Sequence, residues 1–165
     1  MKIALIDFDG TLVNHEPSMK ATALEIFGKP LSLEQIATLQ VHERARIYDV
    51  NLVKYAHLYE NNHEVVEFVK GLKSEGFETK VLTARLHKDI GSIRTMLISM
   101  GLEMEIICRQ NNAVKDQDYK LDYIRSLGAD HIILLEDKPK NIEHICRHMP
   151  EIEAYLVVNG HLQKE

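Results

Sequence analysis

Apolar residues along the chain follow two patterns, short continuous runs and longer stretches with helical spacing. The continuous runs are rich in Ile, Leu and Val and stop at polar or glycine-containing turns, which is typical of strands buried on both faces. They predict five strands, at residues 3–6, 79–83, 104–108, 131–136 and 154–158.

Before each of the last four of these runs, apolar side chains recur every three or four residues, as on one face of a helix. Glycine or proline follows each such stretch and predicts where the helix ends. The predicted helices lie at residues 62–75, 90–100, 118–127 and 139–149. Strands that alternate with helices predict an α/β fold, a Rossmann-like three-layer sandwich with a five-stranded parallel sheet.

Residues 14–61 break this alternation. They carry helical patterns at residues 17–27, 33–39 and 49–59, with no strand between them. We therefore predict one domain over residues 1–165, with residues 14–61 as a small helical insertion, or cap, after the first strand.

The charge balance limits the partners of the chain. It has 20 Lys and Arg against 25 Asp and Glu, a net charge of −5, and no basic run. Broad electrostatic capture of nucleic acid is therefore disfavoured, although recognition of one phosphate or one strand end is compatible with this balance.

The apolar runs and the cysteines predict a cytoplasmic protein. No run approaches the length of a membrane span, and the first apolar run is too short for a signal peptide. Two cysteines without a framework pattern, Cys108 and Cys146, suit a reducing compartment.

The first strand stops at two carboxylates two residues apart, in the segment Asp7-Phe8-Asp9-Gly10-Thr11. Both stay ionised at neutral pH only if a cation or strong donors compensate them. Oxygen ligands of this type suit Mg²⁺, and the turn around Gly10 can direct backbone N–H groups at an anion. A strand that simply ends in a turn is the plainer interpretation of the same residues.

Polar residues follow the other predicted strands as well. The carboxyl ends of parallel strands meet at one edge, where such sheets place their sites. Each of these residues also has an ordinary structural interpretation, so only their convergence predicts a site that holds a phosphate. The residues are Thr83, Ala84 and Arg85 after the second strand, Arg109 after the third, Glu136 and Asp137 after the fourth, and Lys120 in the helix before the fourth.

In these segments, taken in order, the sequence resembles the haloacid dehalogenase superfamily of aspartate-dependent phosphatases. The resemblance implies that Asp7 is the nucleophile and Asp9 the acid and base, while Thr83 and Lys120 hold the phosphoryl group.

The same resemblance implies a magnesium site. Asp137 would bind Mg²⁺ together with Asp7 and the carbonyl of Asp9. Glu136 stands where the superfamily often has aspartate, and a contact to the metal or to a water is expected there.

Within the superfamily, the chain is similar to the 3′-phosphatase domains of phage polynucleotide kinase-phosphatases. The similarity rests on Thr83-Ala84-Arg85, on Cys108-Arg109-Gln110 followed by Lys115-Asp116 and then Lys120, and on Val157-Val158-Asn159-Gly160, and it leaves residues 13–61 unmatched. It implies that Arg85 and Arg109 clamp the substrate, a task that suits planar guanidinium groups. The predicted substrate-binding residues are Gly10, Thr11, Ala84, Arg85 and Arg109.

The predicted function is Mg²⁺-dependent hydrolysis of a phosphomonoester through an aspartyl-phosphate, with a nucleic-acid 3′-phosphate or a nucleotide as one substrate class. A small-metabolite phosphatase, with residues 14–61 as a lid, is the main alternative. A receiver-like signalling module and a catalytically silent binding protein are more distant ones.

Overall fold

The computed structural model describes all 165 residues, which divide into two compact units. One comprises Met1–Val13 and Asn61–Glu165, and the other comprises Asn14–Glu60. The strands are β1 (Lys2–Ile6), β2 (Val13–Asn14), β3 (Glu60–Asn61), β4 (Glu78–Leu86), β5 (Glu105–Arg109), β6 (His131–Glu136), β7 (Glu153–Val158) and β8 (His161–Lys164). The helices are α1 (Glu16–Phe27), α2 (Leu33–Thr38), α3 (Val41–Lys54), α4 (His63–Ser74), α5 (Ile90–Ser99), α6 (Asp116–Ser126) and α7 (Pro139–His148).

The larger unit is built on one sheet with the strand order β5-β4-β1-β6-β7-β8. The first five strands in this order run parallel, and β1 lies at the centre, paired with β4 and β6. Ile3, Ala4, Leu5 and Ile6 are all fully buried, which explains why β1 is a continuous apolar run rather than an alternating one. The α/β, Rossmann-like prediction is confirmed.

The predicted number of strands was too low, because the sheet has six strands rather than five. The tail after Asn159-Gly160 returns as β8, antiparallel to β7, with Val158 opposite His161. Both turn residues have positive φ, 51° and 80°, as a type I′ hairpin turn requires. Asn-Gly is the commonest signal for that turn, so the sequence contained the information.

Strand β4 is longer than predicted and irregular at its end. Thr83 pairs with Cys108 and Leu86 pairs with Arg109, and the register shifts between Thr83 and Leu86. Ala84 and Arg85 therefore lie in an interruption of the ladder, where side-chain contacts rather than regular pairing orient them.

The smaller unit consists of α1, α2, α3 and a 3₁₀ turn at Ala56–Leu58. Its core contains Met19, Ala23, Ile36 and Ile47. The third predicted helix, residues 49–59, was placed wrongly: α3 begins at Val41 and ends at Lys54. Capping of the start by Glu43 explains the earlier beginning, since the Glu43 side chain accepts from the backbone N–H of Gln40 at 3.0 Å.

No helix in the chain combines the length and the apolar character that a membrane span needs.

Candidate active site

Asp7 directly follows β1, and its backbone N–H donates to the Leu135 carbonyl at 2.9 Å, which continues the strand pairing by one residue. Its side chain is 4% exposed. The chain then turns tightly, with Leu12 donating to the Phe8 carbonyl at 3.0 Å and Gly10 to the Val13 carbonyl at 2.8 Å. The nucleophile predicted from the sequence is thus held rigidly at the carboxyl end of the central strand.

Gly10 lies where a larger residue would clash with a neighbouring side chain. Its φ is +83°, and a Cβ there would overlap with the carboxylate of Asp137. The glycine therefore lets the Asp137 carboxylate approach the turn.

Lys120 is fully buried and faces three carboxylates. Its Nζ donates to Oδ1 of Asp7 at 2.8 Å and to Oε2 of Glu136 at 2.6 Å, and it lies 3.8 Å from Oδ1 of Asp116. Burial alone would lower the pKa of the ammonium group, but the charges of Asp7 and Glu136 hold that pKa well above its usual value. Lys120 is therefore charged in the folded protein.

Glu136 is fully buried and satisfied by protein donors on both oxygens. Oε2 accepts from Lys120 and, at 3.1 Å, from Nδ2 of Asn141, and Oε1 accepts from the backbone N–H of Lys138 at 3.1 Å. Burial would raise the pKa of Glu136, but Lys120 and Lys138 hold it below its usual value. This arrangement fits a residue that orients Lys120.

Asp116 completes this side of the site. Its Oδ2 accepts from Asn141 at 3.0 Å and from Nζ of Lys138 at 3.2 Å. Burial acts against the ionised form, yet Lys120 and Lys138 lower the pKa of Asp116 to about 2. Asp116 therefore stays ionised and anchors both cations.

Asp137 has one oxygen without a hydrogen-bond partner, as does Asp116, whose Oδ1 has only the ion pair with Lys120 at 3.8 Å. Oδ1 of Asp137 is buried without a hydrogen bond. Burial, together with the charges of Asp7 and Glu136, raises the pKa of Asp137 to about 9. Burial likewise raises the pKa of Asp7 to about 7, with Lys120 acting in the opposite direction. Both acids thus lack enough positive charge to be ionised together at neutral pH.

The carboxylates of Asp7, Glu136 and Asp137 offer ligand atoms that lie within 4.8 Å of one another. Hard oxygen donors, an unpartnered buried oxygen and a shortage of positive charge are the conditions that a divalent cation such as Mg²⁺ satisfies. Asp7 and Asp137 fit this task better than Glu136, because protein donors already occupy the oxygens of Glu136.

Asp9 is oriented by Arg85. Nε of Arg85 donates to Oδ2 of Asp9 at 2.7 Å, and Nη2 donates to Oδ1 at 2.9 Å, so the guanidinium binds the carboxylate with both prongs of its fork. Nη1 lies 3.7 Å from Oδ2 of Asp89. The sequence predicted Arg85 as a substrate clamp and the Asp9 carboxylate as an acid and base, and the structure joins these two residues.

Two predicted threonines lie in the same region, and both are buried. Oγ1 of Thr83 accepts from the backbone N–H of Arg85 at 3.1 Å, which helps to shape the irregular end of β4. Oγ1 of Thr11 is buried without a hydrogen bond. The backbone carbonyl of Thr11 accepts from Nδ2 of Asn62 at 2.7 Å. The Asn62 side chain therefore holds the turn and makes no capping bond to α4.

Arg109 is not part of this network. Its guanidinium donates to the Val114 carbonyl at 2.9 Å and to Oδ1 of Asn112 at 2.7 Å. These bonds close the loop that follows β5. The substrate contact predicted for Arg109 therefore stays a prediction.

The sequence analysis assigned no role to four polar residues of the site. Lys138 follows Asp137 directly and Asn141 lies in the first turn of α7, so their proximity to the acids was a usable signal. Asp116 stood in a segment that carried the resemblance, but without a role. Asp89 offered no signal, because an aspartate at a helix start is common for structural reasons alone. The four are Asp89, Asp116, Lys138 and Asn141.

No protein-family profile matches the sequence, and no curated protein matches it. Solved structures do match its fold. A predicted phosphatase from Clostridium acetobutylicum aligns with a TM-score of 0.68 at 13% identity, over 93% of this chain and 82% of that one. A predicted phosphoglycolate phosphatase from Haemophilus somnus aligns with a TM-score of 0.60 at 19% identity, over 93% and 84% of the two chains.

The fold also matches a chain in the structure of a Pnkp1/Rnl/Hen1 complex. That alignment has a TM-score of 0.62 at 15% identity and covers 94% of this chain but 44% of the other. TM-scores of 0.60 to 0.68 establish a shared fold, although the identities are only 13–19%. The chain therefore has the fold that its resemblance to haloacid dehalogenase-type phosphatases predicted.

Proposed function

We propose that the chain is a Mg²⁺-dependent phosphatase that hydrolyses a phosphomonoester with Asp7 as the nucleophile. The observation that carries the proposal is the position of Asp7, which is buried at the end of β1, bonded to Lys120 and within 4.8 Å of the Asp137 carboxylate. The shared fold with proteins described as phosphatases supports it.

In the proposed first step, a carboxylate oxygen of Asp7 attacks phosphorus and the bond to the leaving oxygen breaks. The leaving oxygen takes a proton from Asp9, and Asp7 carries the phosphoryl group as an aspartyl-phosphate. Asp9 then takes a proton from water, whose oxygen attacks phosphorus. This second step releases inorganic phosphate and regenerates the Asp7 carboxylate.

Lys120 has two tasks in this mechanism. Its hydrogen bond fixes the Asp7 carboxylate, and its charge offsets the negative charge that the transferring phosphoryl oxygens share. Glu136, Asn141 and Asp116 keep Lys120 in place, because they contact either the ammonium group itself or its carboxylate partner.

The residues that would hold Mg²⁺ are Asp7 and Asp137, with the Asp9 carbonyl added from the family resemblance. A bound Mg²⁺ supplies positive charge that screens the phosphate from the Asp7 carboxylate that attacks it. We expect EDTA to abolish turnover and added Mg²⁺ to restore it. Turnover that is indifferent to chelation would contradict the metal site.

Two substrate classes remain in the proposal. A small organic phosphate is supported by the neighbour described as a phosphoglycolate phosphatase, and a nucleotide or nucleic-acid 3′-phosphate by the resemblance in Thr83-Ala84-Arg85. The role of residues 14–61 as a cap and the cytoplasmic location stay predictions.

A substrate panel tests the function and separates the two classes. It contains a generic aryl phosphate, phosphoglycolate, sugar phosphates, mononucleotides and an oligonucleotide with a 3′-phosphate, each with Mg²⁺ and with EDTA. Asp7→Asn provides the inactive control. The proposal would be refuted if no member of the panel released phosphate, or if Asp7→Asn released as much phosphate as the wild type.

A further inference from the structure

The Arg85 guanidinium lies buried between two carboxylates that come from different elements. Its side chain is 3% exposed, and those of Asp9 and Asp89 are 13% and 7% exposed. Nε and Nη2 bind Asp9, whereas Nη1 faces Asp89 at 3.7 Å. Asp89 therefore approaches a different nitrogen from the two that donate to Asp9.

Asp89 does not perform the task that its position suggests. It is the N-cap residue of α5, where an aspartate usually accepts from the first N–H groups of the helix, yet its side chain makes no capping bond. It is buried and directed at Arg85 instead. Helix capping thus does not explain the residue.

Arg85 needs such an anchor, because its backbone lies where the pairing of β4 with β5 is interrupted. The same guanidinium fork that binds the Asp9 carboxylate also matches two oxygens of a phosphoryl group. If phosphate displaces Asp9 from the fork, a second carboxylate is needed to keep the guanidinium at the site. Asp89, which starts a regular helix, is placed to make that contact.

We infer that Asp89 is a positioning residue, which holds Arg85 so that its fork can pass from Asp9 to the phosphoryl group. The inference rests on the proposed function and assigns Asp89 no contact with substrate. It predicts that Asp89 controls phosphate affinity through Arg85 alone.

The first test compares Asp89→Asn with the wild type, using inorganic phosphate as the probe in the presence of Mg²⁺. Loss of the charge should weaken phosphate binding, measured by calorimetry, by about tenfold, within the range of coupling between residues of one salt-bridge network. KM for the preferred substrate should rise by a similar factor, with a smaller change in kcat. Asp89→Glu should recover most of the loss, and Asp122→Asn, an exposed acid on α6, should change neither quantity.

The second test is a double-mutant cycle with Arg85→Lys, which keeps the charge and removes the fork. If Asp89 acts through Arg85, Asp89→Asn should have little further effect on phosphate affinity in the Arg85→Lys background. Additive losses would overturn the inference, because they indicate a general structural role. Unchanged phosphate affinity in Asp89→Asn would overturn it as well.

The outcomes also separate this inference from the proposed function. Turnover that Asp7→Asn abolishes supports the phosphatase whatever Asp89 does. If Asp89→Asn does not fold, Asp89→Ser, which also removes the charge, carries the same test through the cycle with Arg85→Lys, where additivity again counts against the inference.

Discussion

Two buried cations, Lys120 and Arg85, hold the two acids of the Asp7-Phe8-Asp9 segment in different ways. Lys120 is a compact charge that Asp7 and Glu136 share, with Asp116 nearby. Arg85 gives two parallel hydrogen bonds to Asp9. Asp7 competes with other carboxylates for one ammonium group, while Asp9 has a planar partner of matching shape whose remaining nitrogen faces Asp89.

The difference assigns separate tasks to the two sides. Around Lys120 the carboxylates exceed the available cations, and for that reason the pKa of Asp7 rises to about 7 and that of Asp137 to about 9. A divalent cation would compensate the excess negative charge on this side of the site. Around Arg85 the fork geometry defines the direction of the Asp9 carboxylate until phosphate binds, when we infer that the fork passes to the phosphoryl group and Asp9 is released to meet the leaving oxygen and later a water.

The largest effect that we expect is from Asp7→Asn, which removes the nucleophile on the Lys120 side and keeps its shape. Turnover should fall by about 10⁴-fold or more, the scale seen when a nucleophile is removed. The metal-free variant should melt no lower than the wild type, because it replaces a poorly compensated buried acid. Steady-state assays and thermal melts measure both, and substantial residual turnover would assign the nucleophile elsewhere.

Lys120→Met tests whether the shared cation is also a structural requirement. It should abolish turnover and lower the free energy of unfolding by about 3–5 kcal/mol, because it leaves buried carboxylates uncompensated. Adding Glu136→Gln should restore part of the stability but no activity. Urea titrations of the wild type, the single variant and the double variant measure the three unfolding free energies. Equal stabilities of wild type and Lys120→Met would contradict the charge imbalance described above.

The same imbalance predicts how the metal-free protein responds to pH. The folded pKa values of Asp7 and Asp137, about 7 and about 9, exceed the ordinary value of 3.8, so folding favours their protonated forms. The stability from these acids is fully present below about pH 4 and is lost as pH rises through about 7 and about 9. Asp116, with a pKa of about 2, contributes stability that is lost only as pH falls toward that value.

In EDTA, the free energy of unfolding should therefore fall by several kcal/mol between about pH 5 and about pH 9. Mg²⁺ should oppose the fall, and Asp137→Asn should flatten it. Chemical denaturation across this range provides the measurement. A pH-independent stability in EDTA would mean that the two acids are compensated without a metal.

The smallest effect concerns the turn that separates the two acids. Gly10→Ala introduces a Cβ that clashes with Asp137, and it places a non-glycine residue at a positive φ. We therefore expect the free energy of unfolding to fall by about 2 kcal/mol and Mg²⁺ binding to weaken. Gly71→Ala is the matched control. It lies in α4, where an added methyl group would meet no neighbouring atom, and it should be neutral or stabilising by up to about 1 kcal/mol. Equal effects of the two substitutions would exclude a special role for Gly10.

The strands and most helices of the larger unit could be predicted, because strands buried on both faces of a sheet appear in the sequence as continuous apolar runs. Ile3 to Ile6 form such a run. The correct start of α3 and the strand β8 were missed for another reason. Their signals, a capping side chain at Glu43 and an Asn-Gly turn at Asn159, are short and local. Only neighbouring structure shows which of many such signals is used.

Residue type and position along the chain were enough to identify the groups that can carry the chemistry, since Asp7, Asp9 and Asp137 follow predicted strands closely and Lys120 lies in the helix before one. Their partners became known only from the folded arrangement: Arg85 with Asp9 across 76 residues, Lys120 with Asp7 across 113, and Asp89 behind Arg85. The physical reason is that sheet order and register, together with the irregular end of β4, set the distances between side chains. These quantities arise from packing among distant segments, and no local pattern encodes them.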